Sequence, residues 1–163
     1  MQKAPEYQGR VVAVSISDRK GIKKRNVEEV QLRINHGIEG DAHAGDWHRQ
    51  VSLLGMESIQ KIQAKGLDVA PGDFAENITT EGICLWELPI GTRLRMGDAA
   101  LVEVTQIGKT CHRHCAIFHE VGDCVMPREG IFVHVLEPGI VRPGDTIEVV
   151  QWCLNGNPVL VTT

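Results

Sequence analysis

The stretch 92–107, TRLRMGDAALVEVTQI, decides the fold class. Thr92, Leu94 and Met96 alternate with Arg93 and Arg95, the period of a strand with one buried face and one wet face. Gly97-Asp98 reads as a turn, because Gly admits positive φ and Asp can bond back to the backbone. Leu101, Val102, Val104 and Ile107 form the returning strand. The same order recurs where Arg142-Pro143-Gly144-Asp145 precedes Ile147, Val149 and Val150, although two instances do not make a repeat architecture.

Outward from that hairpin, most of the chain keeps the β period. Residues 11–16, VVAVSI, are apolar and β-branched; Val30, Leu32 and Ile34 alternate with polar residues, and Val51 and Leu53 continue the pattern. Ile131, Phe132, Val133, Val135 and Leu136 form a further strand. Gly-Asp occurs six times, at 40, 45, 72, 97, 122 and 144, and several of these mark turns. One helix stands out, about three turns long, with Met56, Ile59, Ile62 and Gln63 at near-helical spacing and Gly66 as its stop. Many short strands, many Gly turns and one helix predict a mainly β chain, a compact barrel with one or a few short helices. A single domain over 1–163 is expected, with its core at about 11–150. The tail 151–163 carries Asn155-Gly156, a hairpin signal. A docking arm or a partly disordered tail is the alternative, and a homodimer is among the partners considered.

Composition narrows the function classes. The chain has 163 residues, is 42% hydrophobic and 23% charged, and carries a net charge of −4. A negative chain with 4% aromatics is a poor nucleic-acid binder, and no apolar run is long enough to span a bilayer. The N-terminal MQKAPEYQGR has no signal-peptide apolar segment, so a cytoplasmic location is expected. Five cysteines cannot all pair internally, which ranks a disulfide framework last.

The chemistry concentrates in 108–124, GKTCHRHCAIFHEVGDC, with three of the five cysteines and three of the seven histidines. Cys111, Cys115, His119 and Cys124 have spacings that a structural zinc site could use, but no second ligand pair lies elsewhere. The competing reading is a reactive thiol. Lys109, His112, Arg113 and His114 surround the two cysteines with positive charge, which favours thiolate. Cys84, among Ile83, Leu85 and Trp86, and Cys153, beside Trp152 and Leu154, read as buried and inert. A second feature is the glycine-rich loop 36–46, HGIEGDAHAGD, in which His36 and His43 keep company with Asp41. A third is 18–26, DRKGIKKRN, with five basic residues, read either as a solvated loop or as one facing an anion.

Several of these segments, in this order, resemble one family. GIEGDAHAG (37–45), RQVSLL (49–54), FAENI (74–78) and the cysteine segment continuing to 132 are similar to the MOSC domain, found at the C-terminus of molybdenum cofactor sulfurases; the likeness to small stand-alone bacterial members runs from about 11 to 150. The resemblance implies a β-barrel with an essential cysteine that carries sulfur as a persulfide or ligates molybdenum held by its pterin. Cys115, before Ala116-Ile117, matches the family cysteine by context and is the preferred sulfur-bearing or molybdenum-ligating residue. Cys111 matches by its distance from Gln106 and is kept as partner or substitute. Gly40, Asp41, His43, Arg49, Asn77, Lys109 and Arg128 are the implied cofactor-binding residues. The cofactor's phosphate would suit the basic residues, and the Gly amides could approach it closely. No pyridoxal phosphate is expected on this chain, so sulfur would come from a cysteine desulfurase acting as partner, and the acceptor would be the molybdenum cofactor or its enzymes. The alternatives are a molybdenum-dependent reductase of N-hydroxylated compounds and a non-catalytic zinc-binding module.

Overall fold

A computed structural model describes residues 7–109, 124–154 and 156–160. Seven strands close into a barrel: β1 (Gln8–Ile16), β5 (Val51–Gly55), β6 (Ile78–Glu81), β7 (Arg93–Met96), β8 (Ala100–Ile107), β9 (Ile131–Glu137) and β11 (Thr146–Leu154). Around the barrel the order is β11-β7-β8-β9-β5-β6-β1, and β1 returns to β11. The opening hairpin is β7 and β8, paired antiparallel from Met96↔Ala100 to Arg93↔Glu103. Its alternation is realised: Leu94 and Met96 are fully buried in the interior, while Arg93 and Arg95 lie outside and pair with Glu103 and Glu137.

The interior is filled by inward-facing residues from every strand, among them Val11, Leu53, Ile78, Val104, Val133 and Val149. Val11 and Val14 both face inward despite an odd spacing. A bulge between Val11 and Ala13 in the β1–β6 pairing shifts the parity, as an extra residue in a period-two strand must. A second sheet, β10 (Gly139–Val141), β3 (Val30–Arg33) and β4 (Gly37–Ile38), adds Val30, Leu32, Ile38 and Val141 to the same cluster.

One pairing differs from the rest. β5 and β6 run parallel, Leu53↔Ile78 through Gly55↔Thr80, so the chain must cross over the outside of the barrel between them. The crossover is α1 (Met56–Gln63) and the loop that follows it. Ile59 and Ile62 on α1 pack with Leu54, Phe74 and Phe132 in a second apolar cluster, joined by Met126 of α2 (Met126–Glu129). The helix has eight residues, shorter than the spacing predicts, and Gly66 beyond it takes φ +94. The tail forms a hairpin, with β12 (Asn157–Leu160) paired to β11 and Gly156 at φ +79.

Four short strands escape the sequence reading: β4 with two residues, and β2 (Arg25–Val27) and β10 with three each, have no room for a period, while β6 is buried at Ile78, Thr79 and Thr80 alike and shows no alternation. Ile34, expected to continue β3, is 59% exposed just beyond it. Cys84 and Cys153 are half-buried rather than buried.

The crossover loop is tied to the rest of the molecule at Gly72. Its carbonyl accepts from Lys24 N at 2.9 Å, and its N–H donates to the Glu76 carboxylate at 3.0 Å. With φ at +94, a Cβ here would drive into the Lys24 carbonyl oxygen. Gly72→Ala is therefore expected to destabilise the fold by at least about 2 kcal/mol, from backbone strain and collision together. Urea unfolding of the two proteins would measure it.

Candidate functional site

The glycine-rich segment 36–46, which contains β4, is shaped by its backbone. Gly37 has φ +114, and a Cβ there would lie 2.7 Å from the Gln50 carbonyl. Asp41 then becomes a hub. Its Oδ1 accepts from Ser17 N at 3.0 Å and from Lys24 Nζ at 2.8 Å, and its Oδ2 accepts from His43 N at 3.0 Å. One carboxylate thereby joins the end of β1, the basic loop and its own turn. Both side chains of the Lys24–Asp41 pair are fully buried.

Lys24 Nζ has three neighbours at bonding distance: Asp41 Oδ1, Ser17 Oγ at 2.9 Å and His43 Nδ1 at 3.0 Å. Ser17 Oγ in turn donates to the Arg19 carbonyl at 2.9 Å. An ammonium has three donors and no acceptor, so each proton finds a partner. Burial works against the Asp41 carboxylate, but the hydrogen bonds from Lys24, Ser17 and His43, with the Lys24 charge, hold its pKa below the ordinary value. His43 is lowered to about 4, first by burial and then by the Lys24 charge; Lys20 and Lys109 add to the effect and Asp41 opposes it. The imidazole is therefore neutral at pH 7.

His43 forms part of the wall of a cavity of about 200 Å³. Lys20, Arg49 and Lys109 also line it, while Trp47, Phe132 and Met126 supply its apolar walls. Two of the cations are held over rings, Lys20 Nζ 4.7 Å from the Trp47 ring and the Arg49 guanidinium 5.2 Å from the Phe132 ring. Arg49 Nε donates to Gln106 Oε1 at 3.1 Å, and Trp47 Nε1 donates to the His43 carbonyl at 2.8 Å. Gly21, Ser52 and Ala75 are the other described residues of the lining. Ala75 has φ +63, a conformation that L side chains rarely adopt and that costs about 1–2 kcal/mol. No carboxylate lines the cavity among the described residues. A volume below the ~300–1,000 Å³ of pockets that enclose a drug-sized ligand suits a small anion or one end of a larger molecule.

Of the residues singled out in the sequence, the structure brings His43, Arg49 and Lys109 together at this cavity. Asp41 stands behind His43 and positions it. Gly40 is exposed on the loop and outside the lining. Asn77 is fully buried away from the cavity, accepting from Ser52 N at 3.0 Å and donating to the Ser15 carbonyl at 3.1 Å, so it clamps β5 to β1. Arg128 is exposed on α2 and does not line the cavity. Cys111 and Cys115 lie outside the described residues, as do His112, His114 and His119. Among the described residues, no cluster of three or more His, Cys, Asp or Glu could hold a metal. The basic loop contributes Lys20 and Gly21 to the cavity, in line with an anion-facing loop, whereas Lys24 turns inward. Sequence reasoning missed the walls, Trp47, Phe132 and Met126. Phe132 did carry a signal, since its parity opposes that of the inward Ile131 and Val133 and puts it on the outer face of β9.

The MOSC domain model matches residues 39–148. The chain belongs to the MOSC domain family, which is associated with the molybdenum cofactor. Solved structures share its fold. The YuaD protein from Bacillus subtilis superposes with a TM-score of 0.73 at 21% identity, covering 87% of this chain and 95% of that one. YiiM from Geobacillus stearothermophilus gives 0.68 at 21%, covering 91% and 78%. YiiM from Escherichia coli gives 0.63 at 23%, covering 88% and 69%. No curated protein matches the chain. No helix among the described residues is long and apolar enough to cross a membrane.

Two outcomes follow from this geometry. Asp41→Ala leaves a buried ammonium without its counter-charge and is expected to cost about 3–5 kcal/mol, read by chemical denaturation. The second concerns pH. His43 starts from 6.5 in the unfolded chain and sits at about 4 in the folded one. Between those values the unfolded state takes up a proton that the folded state refuses, so stability falls as pH drops through this window and is complete above it. Glu76, pushed up by burial, acts with the opposite sign above 4.5, so the readout is a difference. The gap in stability between wild type and His43→Gln should change as pH falls from 6.5 to about 4 and stay level above 6.5.

Proposed function

We propose that this chain binds the molybdenum cofactor or handles its sulfur, with Cys115 as the sulfur-bearing or molybdenum-ligating residue and Cys111 as its partner. The observation that carries this reading is the placement of the cavity. Lys109 lines it immediately before the segment that holds both cysteines, and Met126 lines it just after that segment ends. Cys111 follows Lys109 by two residues and Cys115 by six, and this short tether to the cavity wall supports the reading.

The residues present fit the cofactor. Its phosphate and its anionic sulfurs call for positive charge, supplied by Lys20, Arg49 and Lys109, with no opposing carboxylate among the described lining. Its pterin calls for flat apolar walls, supplied by Trp47 and Phe132. When bound, the cofactor would supply a molybdenum centre able to take a soft sulfur ligand. The chain's own work would be to neutralise the anion, to exclude water with the aromatic walls and to keep a thiol ionised nearby. Lys109, two residues before Cys111 in the chain, adds a positive charge of the kind that favours thiolate. A cysteine desulfurase in the cytoplasm is the proposed sulfur donor.

The test is purification from a molybdenum-competent host, with molybdenum and pterin assayed in the protein. Wild type is expected to retain both and Cys115→Ser to lose most of the molybdenum. Incubation with a cysteine desulfurase and cysteine, followed by mass spectrometry, should place a sulfur adduct on Cys115 or Cys111. Purified protein with neither cofactor nor adduct, or with stoichiometric zinc lost together with the fold on chelation, would overturn the reading.

A further inference from the structure

The cavity wall holds a histidine whose protonation pattern is dictated from behind. Lys24 Nζ lies 3.0 Å from His43 Nδ1, and its other two protons are directed to Asp41 and Ser17. An ammonium cannot accept, so Nδ1 must. The alternative partner, Asp41 Oδ2, is 3.8 Å from Nδ1, too far for a hydrogen bond. A neutral imidazole with Nδ1 accepting carries its proton on Nε2. Nδ1 faces the buried ammonium, so the ring edge left for the cavity is the one with Nε2. The His43 side chain keeps 23% of its surface exposed, and no described residue bonds to Nε2.

The other described polar residues of the lining point to the same partner. Lys20, Arg49 and Lys109 are donors only, and Ser52 is engaged with Asn77 Oδ1 at 3.2 Å. A wall of donors takes a ligand of acceptors. We propose that His43 is a fixed neutral hydrogen-bond donor to an oxyanion in this cavity, and that Lys24 is a positioning residue that sets the tautomer. Neutrality has a consequence for selectivity. The positive charge of the described lining comes from two lysines and an arginine, and His43 adds direction without adding charge. Oxyanion affinity is then level between about pH 5 and 8, where an ordinary histidine would switch it. Among the described residues, Asp41, Lys20, Lys24 and Lys109 are the charged groups that act on the ring.

The proposal rests on the cofactor reading only for the identity of the oxyanion. It is tested on the full chain with inorganic sulfate, which keeps its double charge throughout that range. Nitrogen-15 spectra of the histidine rings in the free protein should show His43 protonated at Nε2 and bare at Nδ1 throughout. Sulfate should shift the Nε2–H resonance, with a dissociation constant that changes less than about twofold from about pH 5 to 8. His43→Leu should weaken sulfate about tenfold, the loss of one charge-assisted bond. His43→Gln, which keeps an N–H near the place of Nε2, should recover most of that loss. The double variant Lys24→Met/Asp41→Asn removes both buried charges together and should leave His43 in a mixture of tautomers. A proton on Nδ1, an imidazolium forming near 6.5 in the wild type, or equal sulfate affinity in His43→Leu would each overturn the proposal. These readouts do not depend on the cofactor. Protein that lacks pterin and molybdenum yet passes them refutes the cofactor reading alone. Protein that carries both yet fails them refutes this inference alone.

Discussion

The buried pair of Lys24 and Asp41 is the interaction on which the rest of the site depends. Two charges with no solvent exposure are tolerable only if every proton and lone pair near them is satisfied. Here the ammonium is met by Asp41, Ser17 and His43, and the carboxylate by Lys24 and two backbone N–H groups. The arrangement is therefore all or nothing. It binds the end of β1, the basic loop and the glycine-rich loop into one unit, and its outer edge is the imidazole that faces the cavity.

The barrel supplies the other half. Its strands alternate, so each buried position inside has an outward neighbour that must meet something else. Over most of the circumference that partner is water, and arginines and glutamates cover the outside of β7 and β8. Over β5 and β9 it is the crossover that the parallel β5–β6 pairing demands, and a second apolar cluster forms there from Leu54, Phe132 and α1. The cavity lies where this cluster meets the polar loops, with Phe132 and Met126 from one side and His43 and Lys20 from the other. Phe132 and Met126 thus come from the outer apolar cluster, while Trp47 comes from the loop side that carries His43.

Much of the barrel was legible in the sequence because strand alternation is a local property. Leu94 and Met96 announce their own burial through Arg93 and Arg95, and Asn155-Gly156 announces the last hairpin. The shortest strands were not legible, since two or three residues cannot show a period. Ile34 misled for a related reason, being apolar at an alternating position where the strand has already ended. For the site, His43, Arg49 and Lys109 were found because they sit beside recognisable motifs. Trp47 and Phe132 were not, since an aromatic on an outer face looks the same whether it meets a helix, a ligand or solvent.

The sequence by itself determined a mainly β chain, the MOSC resemblance and the segment in which three of the five cysteines are concentrated. These follow from period, turn residues and ordered motifs, all of which can be read along the chain. Only the tertiary structure decided that Lys24 turns inward while its neighbour Lys20 faces the cavity, and that Asn77 clamps two strands. It also decided that Asp41 holds the His43 backbone rather than lining the cavity itself. Each depends on which groups meet across long sequence separations, such as Ser17 with Asp41 or Arg49 with Gln106. A lysine in a basic run reads as solvated until the fold places a buried carboxylate 2.8 Å from its nitrogen. No local pattern can encode that, because burial and pairing belong to the packed molecule rather than to the residue.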